Sequence, residues 1–139
     1  IIHARNFDFY FGDEFAKEKV ILMVKPNIGN AFISYSWPGM MGVVSGMNEK
    51  GLAVTINASM SDPPISASLP ISILIREVLQ FTSNQTEAIN YISEKEIFVS
   101  ESLLISKFSI SISNTSGQTL SEFPQVTQPS SIHTFLIIY

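Results

Sequence analysis

Not one of the 139 residues is a cysteine, which excludes disulfides, thiolate metal sites and a cysteine nucleophile within these residues. Charged residues are also scarce, at 14%, and 8 basic against 12 acidic side chains give a net charge of −4. This charge has the wrong sign for a surface that binds nucleic acid or anionic lipid, and it is too small for a polyanionic tail. We therefore expect neither kind of partner.

Long apolar runs are missing as well. The longest runs, such as Val20–Val24, are far shorter than the ~20 residues needed to span a bilayer. No signal peptide is visible, so the sequence predicts no membrane segment and favours the cytoplasm. There is also no initiator methionine, and the chain begins Ile1-Ile2-His3 in what resembles the middle of a strand. We therefore expect the chain to be a fragment.

Apolar side chains are abundant, at 45% of the residues, which is enough for the core of one domain. In the first half they fall into short segments separated by turns, a pattern typical of an antiparallel sheet. Asn48 and Gly51 are expected to take positive φ angles in the turn of a hairpin. The predicted strands are 1–9, 20–25, 31–37, 42–46 and 51–57.

The middle of the chain changes to a helical period. Apolar residues recur at i, i+3, i+4, i+7 and i+8 over 71–79, Pro70 suits the first turn, and Ser68 is available as a cap. Asn84 with Glu87 three residues later resembles a capping box that opens a second helix. Two more strand segments follow, 97–99 and 103–105. The prediction is an α+β domain with an antiparallel sheet and two consecutive helices.

The last segment, 107–139, differs from the rest because it holds only two charged residues, Lys107 and Glu122. Serine alternates there with isoleucine or phenylalanine before the pattern loosens. One interpretation is an edge hairpin with a poorly packed end. Another is that the segment is not the native continuation of the domain, as after truncation or a frame shift. We predict a domain over 1–106 and an atypical tail over 107–139.

The first candidate for chemistry is the tetrapeptide Arg5-Asn6-Phe7-Asp8. In a strand, Asn6 and Asp8 share one face while Arg5 lies on the other. Charged groups among apolar neighbours are costly unless paired. A guanidinium can orient a nucleophile, and an aspartate can hold a protonated amine. The tetrapeptide by itself favours the structural alternative, an Arg–Asp pair that stabilises a sheet edge.

Asn57 is the second candidate, because it ends an apolar strand and can donate its amide N–H to a developing oxyanion. The commoner role of asparagine at a strand end is to form a turn. His3 and His133 have no acidic or histidine neighbours at ligand spacing, so a metal site is not expected. The sequence also has no Gly-x-Ser-x-Gly elbow and no glycine-rich phosphate loop.

Three segments together resemble one family. The segment 3–9, His-Ala-Arg-Asn-Phe-Asp-Phe, is similar to a strand of the N-terminal-nucleophile hydrolases, specifically the acyl-coenzyme A:6-aminopenicillanic acid acyltransferase family, a relative of the choloylglycine hydrolases. Trp37-Pro38-Gly39 followed by 42–57 is a longer match. Leu69-Pro70 leading into 75–79 is a third. The resemblance covers residues 2 to about 105.

The resemblance implies an incomplete αββα sandwich and activity on the amide or thioester bond of a small acyl substrate, with no cofactor. In this family an autoproteolytic cut exposes a cysteine whose own α-amine is the general base. By resemblance, Arg5 orients the thiol, Asp8 holds the amine and Asn57 donates to the oxyanion. The family's cysteine precedes the Arg5-Asn6 strand, so we expect the polypeptide as given to be inactive.

A hypothesis of another class is a non-catalytic α+β domain that binds a ligand or partner and never had a cysteine. A cysteine encoded shortly before Ile1 would favour the enzyme, and a start codon there would favour the binding domain. A third hypothesis is a pseudogene product whose exposed apolar edge leads to aggregation. Within the enzyme hypothesis, acyl transfer and hydrolysis both stay open.

Overall fold

The computed structural model describes residues 3–4, 12–13, 17–58, 68–97, 101–108 and 133–138. Within these residues, six strands form one antiparallel sheet whose spatial order follows the chain, from β1 to β6. Helices α1 (Ile71–Phe81) and α2 (Gln85–Ser93) lie between β4 and β5 in sequence. The strands are β1 (Val20–Val24), β2 (Phe32–Ser36), β3 (Ser45–Asn48), β4 (Leu52–Ala58), β5 (Glu101–Lys107) and β6 (His133–Ile138).

The predicted α+β class, with an antiparallel sheet and two consecutive helices, is confirmed. The predicted strand 1–9 lies outside the described residues, apart from His3 and Ala4. The strand predicted at 42–46 begins later, at Ser45. The reason is that the Val43 N–H donates to the Ser72 carbonyl of α1 at 2.8 Å, so this stretch is drawn to the helix before it joins the sheet.

The core lies between the helices and one face of the sheet, which we call the inner face. The predicted apolar stripe of α1 is buried there, at Leu74, Ile75, Val78 and Leu79. It packs with the inward-facing side chains of the central strands, Leu52, Val54, Ile56, Leu103 and Ile105. Gly46 leaves room for this packing, because a Cβ at that position would lie 2.6 Å from the Leu79 Cδ1.

The two helices begin differently. The N-cap of α1 is Pro70, with no side-chain hydrogen bond, so the prediction of a Ser68 cap is wrong. The physical reason is that Leu69, which lies between Ser68 and Pro70, forms an isolated parallel bridge with Ile97, so the helix begins only after Pro70. In α2 the predicted capping pair is confirmed, since the Asn84 Oδ1 accepts from the Glu87 N–H at 2.9 Å.

The opposite face of the sheet, which we call the outer face, is apolar where β1, β2 and β3 lie. Its side chains there are exposed, and they are Ile21, Met23, Ile33, Tyr35 and Met47. Met23 is 78% exposed and Ile21 is 71% exposed. Neither helix in the described part of the chain is long and apolar enough to cross a membrane. The helices therefore cover one side of the sheet and leave this part of the other side open.

Candidate active site

Asn57 lies within β4, paired opposite Ser102 of β5, and it is half-buried. It therefore belongs to the strand and not to a turn. Along β4 the residues at even positions, from Leu52 to Ile56, face the helices. Because side chains alternate along a strand, Asn57 shares the outer face with Thr55. The candidate oxyanion donor is thus on the side of the sheet that the helices leave open.

His3 contacts the same face. Its Nδ1 lies 2.5 Å from the Ser106 Oγ, and its Nε2 lies 3.1 Å from the Thr55 Oγ1. Ser106 is 1% exposed and Thr55 is 6% exposed. The His3 ring also lies 6.4 Å from the ring of Phe108. This contact places the beginning of the described chain across the middle of the outer face, over β4 and β5.

The other two predicted site residues, Arg5 and Asp8, lie outside the described residues, as does Asn6. Chain length limits how far they can lie from His3. Arg5 is two residues away, a backbone span of at most about 7 Å, and Asp8 is five residues away, a span of at most about 18 Å. Arg5 follows His3 by two residues, and Asn57 follows Thr55 by two. Of the residues around the candidate site, the structure places His3, Thr55 and Asn57 on one face of the sheet.

Among the described residues, no group of three or more histidine, aspartate or glutamate side chains is arranged to hold a metal ion. The other histidine, His133, lies in β6 opposite Ser106. Its backbone position is thus on the strand next to β5, one of the two strands that His3 contacts.

Asn48 has a role that the sequence did not reveal. It is 3% exposed and does not adopt the predicted positive φ, whereas Gly51 does, with φ of 78°. Its Nδ2 donates to the Leu79 carbonyl at 2.9 Å and to the Thr82 carbonyl at 2.8 Å. Its Oδ1 accepts from the Lys50 and Leu52 N–H groups at 3.1 and 3.0 Å. Its hydrogen-bonding capacity is therefore used within the fold, and it is a structural residue.

A second asparagine completes the end of α1. The backbone N–H of Asn30 donates to the Gln80 carbonyl at 2.7 Å, and its Nδ2 donates to the Thr82 carbonyl at 2.9 Å. The last carbonyls of a helix have no partner within the helix, so they need donors from outside it. Asn30, which precedes β2, and Asn48, at the end of β3, supply those donors and join α1 to the sheet.

The electrostatic feature that stands out lies on the helix side. Burial, together with the carboxylate of Glu77, raises the pKa of Tyr91 above its ordinary value of 10.0. The Tyr91 hydroxyl donates to the Glu77 Oε2 at 3.2 Å, and the Lys95 Nζ lies 4.8 Å from the centre of the ring. This cluster joins α1 to α2 on the opposite side of the sheet from His3, so we assign it a structural role.

Sequence reasoning missed the partners of His3 for a physical reason. Thr55 and Ser106 are polar residues in apolar strands, which is a weak local signal of a special role. Nothing local indicates that one imidazole joins them, because His3 is separated from them by 52 and 103 positions. Only the pairing of β4 with β5 brings the two hydroxyls together.

Comparison with known proteins adds two findings. Residues 2–113 match the family described as acyl-coenzyme A:6-aminopenicillanic acid acyl-transferase, and this match extends into the segment predicted as an atypical tail. An uncharacterized protein of Archaeoglobus fulgidus is 28% identical over 87 residues, which cover 60% of this chain and 15% of that protein. The chain therefore aligns with only a small part of that relative's length.

Proposed function

Because the chain belongs to the acyl-coenzyme A:6-aminopenicillanic acid acyltransferase family, we propose that it carries part of the site of a cysteine N-terminal-nucleophile enzyme. The proposed reaction breaks an amide or thioester bond of a small acyl substrate. The acyl group then passes either to an amine or to water. The nucleophile of this proposal is a cysteine outside the 139 residues, exposed by autoproteolysis, since these residues contain none.

The proposed chemistry has two steps. The α-amine of the cysteine, with an ordinary pKa of about 8, takes the thiol proton while the sulfur attacks the acyl carbon. The Asn57 amide N–H donates to the oxyanion that forms. Collapse of this intermediate leaves an acyl thioester and releases the leaving amine or thiol, which receives the proton. A second nucleophile then attacks the thioester and restores the cysteine.

Arg5 and Asp8 complete the proposed site by resemblance to the family. The Arg5 guanidinium is a permanent cation that orients the sulfur and favours its thiolate. The Asp8 carboxylate accepts a hydrogen bond from the α-amine and holds it towards the sulfur. Together they keep the nucleophile and its base in one arrangement before substrate binds.

The observation that carries this proposal is the contact of His3 with the outer face. His3 bonds to Thr55, whose neighbour on that face of the strand is Asn57. The segment that leads to Arg5 and Asp8 therefore starts beside the strand that bears the oxyanion donor. The reach of two to five residues is compatible with a single pocket for all three side chains. The exposed apolar outer face of β1–β3 also supports the proposal, because such a face suits packing against the second sheet of a sandwich.

The test is to express the natural reading frame together with the coding sequence upstream of residue 1. With an upstream cysteine, we expect turnover on a panel of acyl-amides and acyl-thioesters, and its loss after alkylation of the new N-terminal thiol. The 139-residue chain is the control, and we expect it to be inactive.

Two results would contradict the proposal. Turnover by the cysteine-free chain would exclude the thiol mechanism. An upstream sequence without cysteine, giving a folded but inactive protein, would favour the non-catalytic binding domain.

A further inference from the structure

Starting from the proposed function, we propose that His3 is a positioning residue. Its imidazole joins β4 and β5 through the hydroxyls of Thr55 and Ser106, and it thereby sets the distance between the Arg5–Asp8 segment and Asn57. No site role for His3 follows from the sequence. The inference rests on two hydrogen bonds, the burial of their partners and the two-residue separation of Arg5 from His3 along the chain.

The first step is geometric. In the β4–β5 pairing, Thr55 lies opposite Leu104, and Ser106 lies opposite Ala53. Thr55 and Ser106 are thus diagonal neighbours on the outer face, a separation of about 7–8 Å in an antiparallel pair. A ring with a nitrogen on each side can bond both hydroxyls at once, as the distances of 2.5 and 3.1 Å show. His3 therefore joins two strands and not merely one side chain.

The second step is energetic. Ser106 and Thr55 are nearly inaccessible to solvent, so their hydroxyls depend on partners inside the protein. Ser34 and Ser36 on β2 provide the contrast, because their Oγ atoms are buried and have no hydrogen-bond partner. Removing those hydroxyls gives up no hydrogen bond. Removing the hydroxyls of Thr55 and Ser106 removes the two hydrogen bonds to His3.

The third step separates positioning from catalysis. A serine within hydrogen-bond distance of a histidine resembles a nucleophile with its general base. Ser106 is 1% exposed, however, so an acyl carbon cannot approach its Oγ. The His3–Ser106 pair is therefore an anchor, and the effect of His3 on the reaction passes through the residues that follow it.

The fourth step connects the anchor to the site. With the His3 ring held against β4, two residues of chain limit the Cα of Arg5 to about 7 Å from that of His3. Without the anchor this limit still applies, but the starting point is no longer tied to β4. A shift of about 1 Å in a catalytic group can reduce the rate by about 10²-fold. We therefore expect loss of the anchor to lower kcat much more than it changes KM.

The first experiment uses the 139-residue chain and needs no activity. NMR of the ¹⁵N-labelled imidazole should show one fixed tautomer and a slowly exchanging ring N–H. In the double variant Thr55→Val/Ser106→Ala we expect ring N–H exchange to be about tenfold faster, as for the loss of one to two hydrogen bonds. The matched control is Ser34→Ala/Ser36→Ala, which removes two buried hydroxyls that His3 does not contact. Equal ring spectra in both double variants would overturn the inference.

The second experiment uses the extended, cysteine-containing protein. We expect His3→Ala to reduce kcat by about 10²-fold while KM changes by less than about threefold. His3→Gln, which keeps one donor and one acceptor, should restore part of kcat, and Ser34→Ala should match the parent. If His3→Ala retains full kcat, the positioning role is wrong and the proposed function stands. If the extended parent itself is inactive, the proposed function fails, while the NMR result still decides whether the anchor exists.

Discussion

At the scale of single residues, two asparagines in neighbouring strands have different surroundings. Asn48, at the end of β3, bonds four backbone groups and is almost fully buried. Asn57, near the end of β4, is half-buried on the outer face, two residues after the Thr55 that His3 contacts. The family resemblance includes both residues in one continuous motif, 42–57. Only their surroundings distinguish them, because the first is held by four hydrogen bonds within the fold, and the second lies half-buried on the outer face, where we propose that it acts as the oxyanion donor.

Asn48→Ala should be strongly destabilising. It leaves the Lys50 and Leu52 N–H groups and the Leu79 carbonyl without the partner they have now, and we expect a loss of about 3 kcal/mol in the free energy of unfolding. Urea denaturation measures this loss. Asn90→Ala, at an exposed position of α2, is the matched control and should differ little from the parent.

Asn57→Ala should affect catalysis instead. In the cysteine-containing protein we expect kcat to fall by about 10²- to 10³-fold, the loss typical of one oxyanion donor. Thermal unfolding should stay close to that of the parent. A variant that unfolds early but keeps its specific activity would show that Asn57 is structural.

At the scale of elements, the two helices are held by different devices. The last carbonyls of α1 are bonded by donors from Asn30 and Asn48, far away in sequence. The start of α2 is capped locally, since the Asn84 Oδ1 accepts from the Glu87 N–H and the Glu87 carboxylate accepts from the Ser83 N–H just before the helix. The capping box was predictable because all its members lie within four residues. The Pro70 N-cap of α1 was not, because it depends on the bridge between Leu69 and Ile97.

Asn84→Ala should remove the cap of α2 and cost about 1 kcal/mol of stability, as N-cap replacements usually do. Thr86→Ala, in the exposed first turn of the same helix, is the control and should cost less. Chemical denaturation of the two variants side by side gives the comparison. Equal losses would mean that the Asn84 bond adds nothing to the helix.

The junction of α1 and α2 should give the protein a dependence on alkaline pH. The folded state raises the pKa of Tyr91, so above the ordinary value of 10.0 the unfolded chain loses its phenol proton first. The folded state then binds more protons than the unfolded state, and stability falls as the pH rises. Below pH 10, the stabilising contribution of Tyr91 is fully present.

Tyr91→Phe should flatten the alkaline part of this profile, because it removes the titrating group. Urea midpoints measured from about pH 8 to about pH 11 test it. Parent and variant curves that run parallel over this range would exclude Tyr91 as the cause.

At the scale of the whole molecule, the sheet is covered unequally. The helices pack on the inner face over the central strands, and His3 lies over the middle of the outer face. The outer face of β1–β3 presents exposed apolar side chains, among them Ile21 and Met23 on the edge strand. Among the described residues β1 is an edge strand, and exposed apolar patches beside a strand edge promote association between molecules. The 139-residue chain should therefore associate in a concentration-dependent manner.

Ile21→Lys/Met23→Lys should suppress that association without loss of fold, since both side chains are mostly exposed. Static light scattering over a concentration series, with circular dichroism as a check on folding, measures it. Leu22→Lys is the matched control on the same strand. It is half-buried on the inner side, so it should destabilise the fold instead.

The atypical tail belongs to the same scale. Its described residues are Lys107 and Phe108, at and just after the end of β5, and the strand β6, which pairs along β5. The family match reaches residue 113. The predicted boundary at 106, and the hypothesis that 107–139 is not the native continuation, stay predictions. Translation of the coding sequence in the other two frames past residue 105 tests the frame-shift hypothesis. That hypothesis predicts a continuation that resembles the family in one of those frames.

The sequence by itself determined the features that depend on neighbours a few positions apart. These are the alternating strands, the apolar stripe of α1, the capping box of α2 and the turn at Gly51, together with the family motifs. The tertiary structure decided the rest: that Asn48 holds the end of α1, that β3 starts at Ser45, and that His3 joins β4 to β5. The physical reason is the same each time, because each of these roles depends on a hydrogen-bond partner at least 29 positions away, and only folding brings the two together.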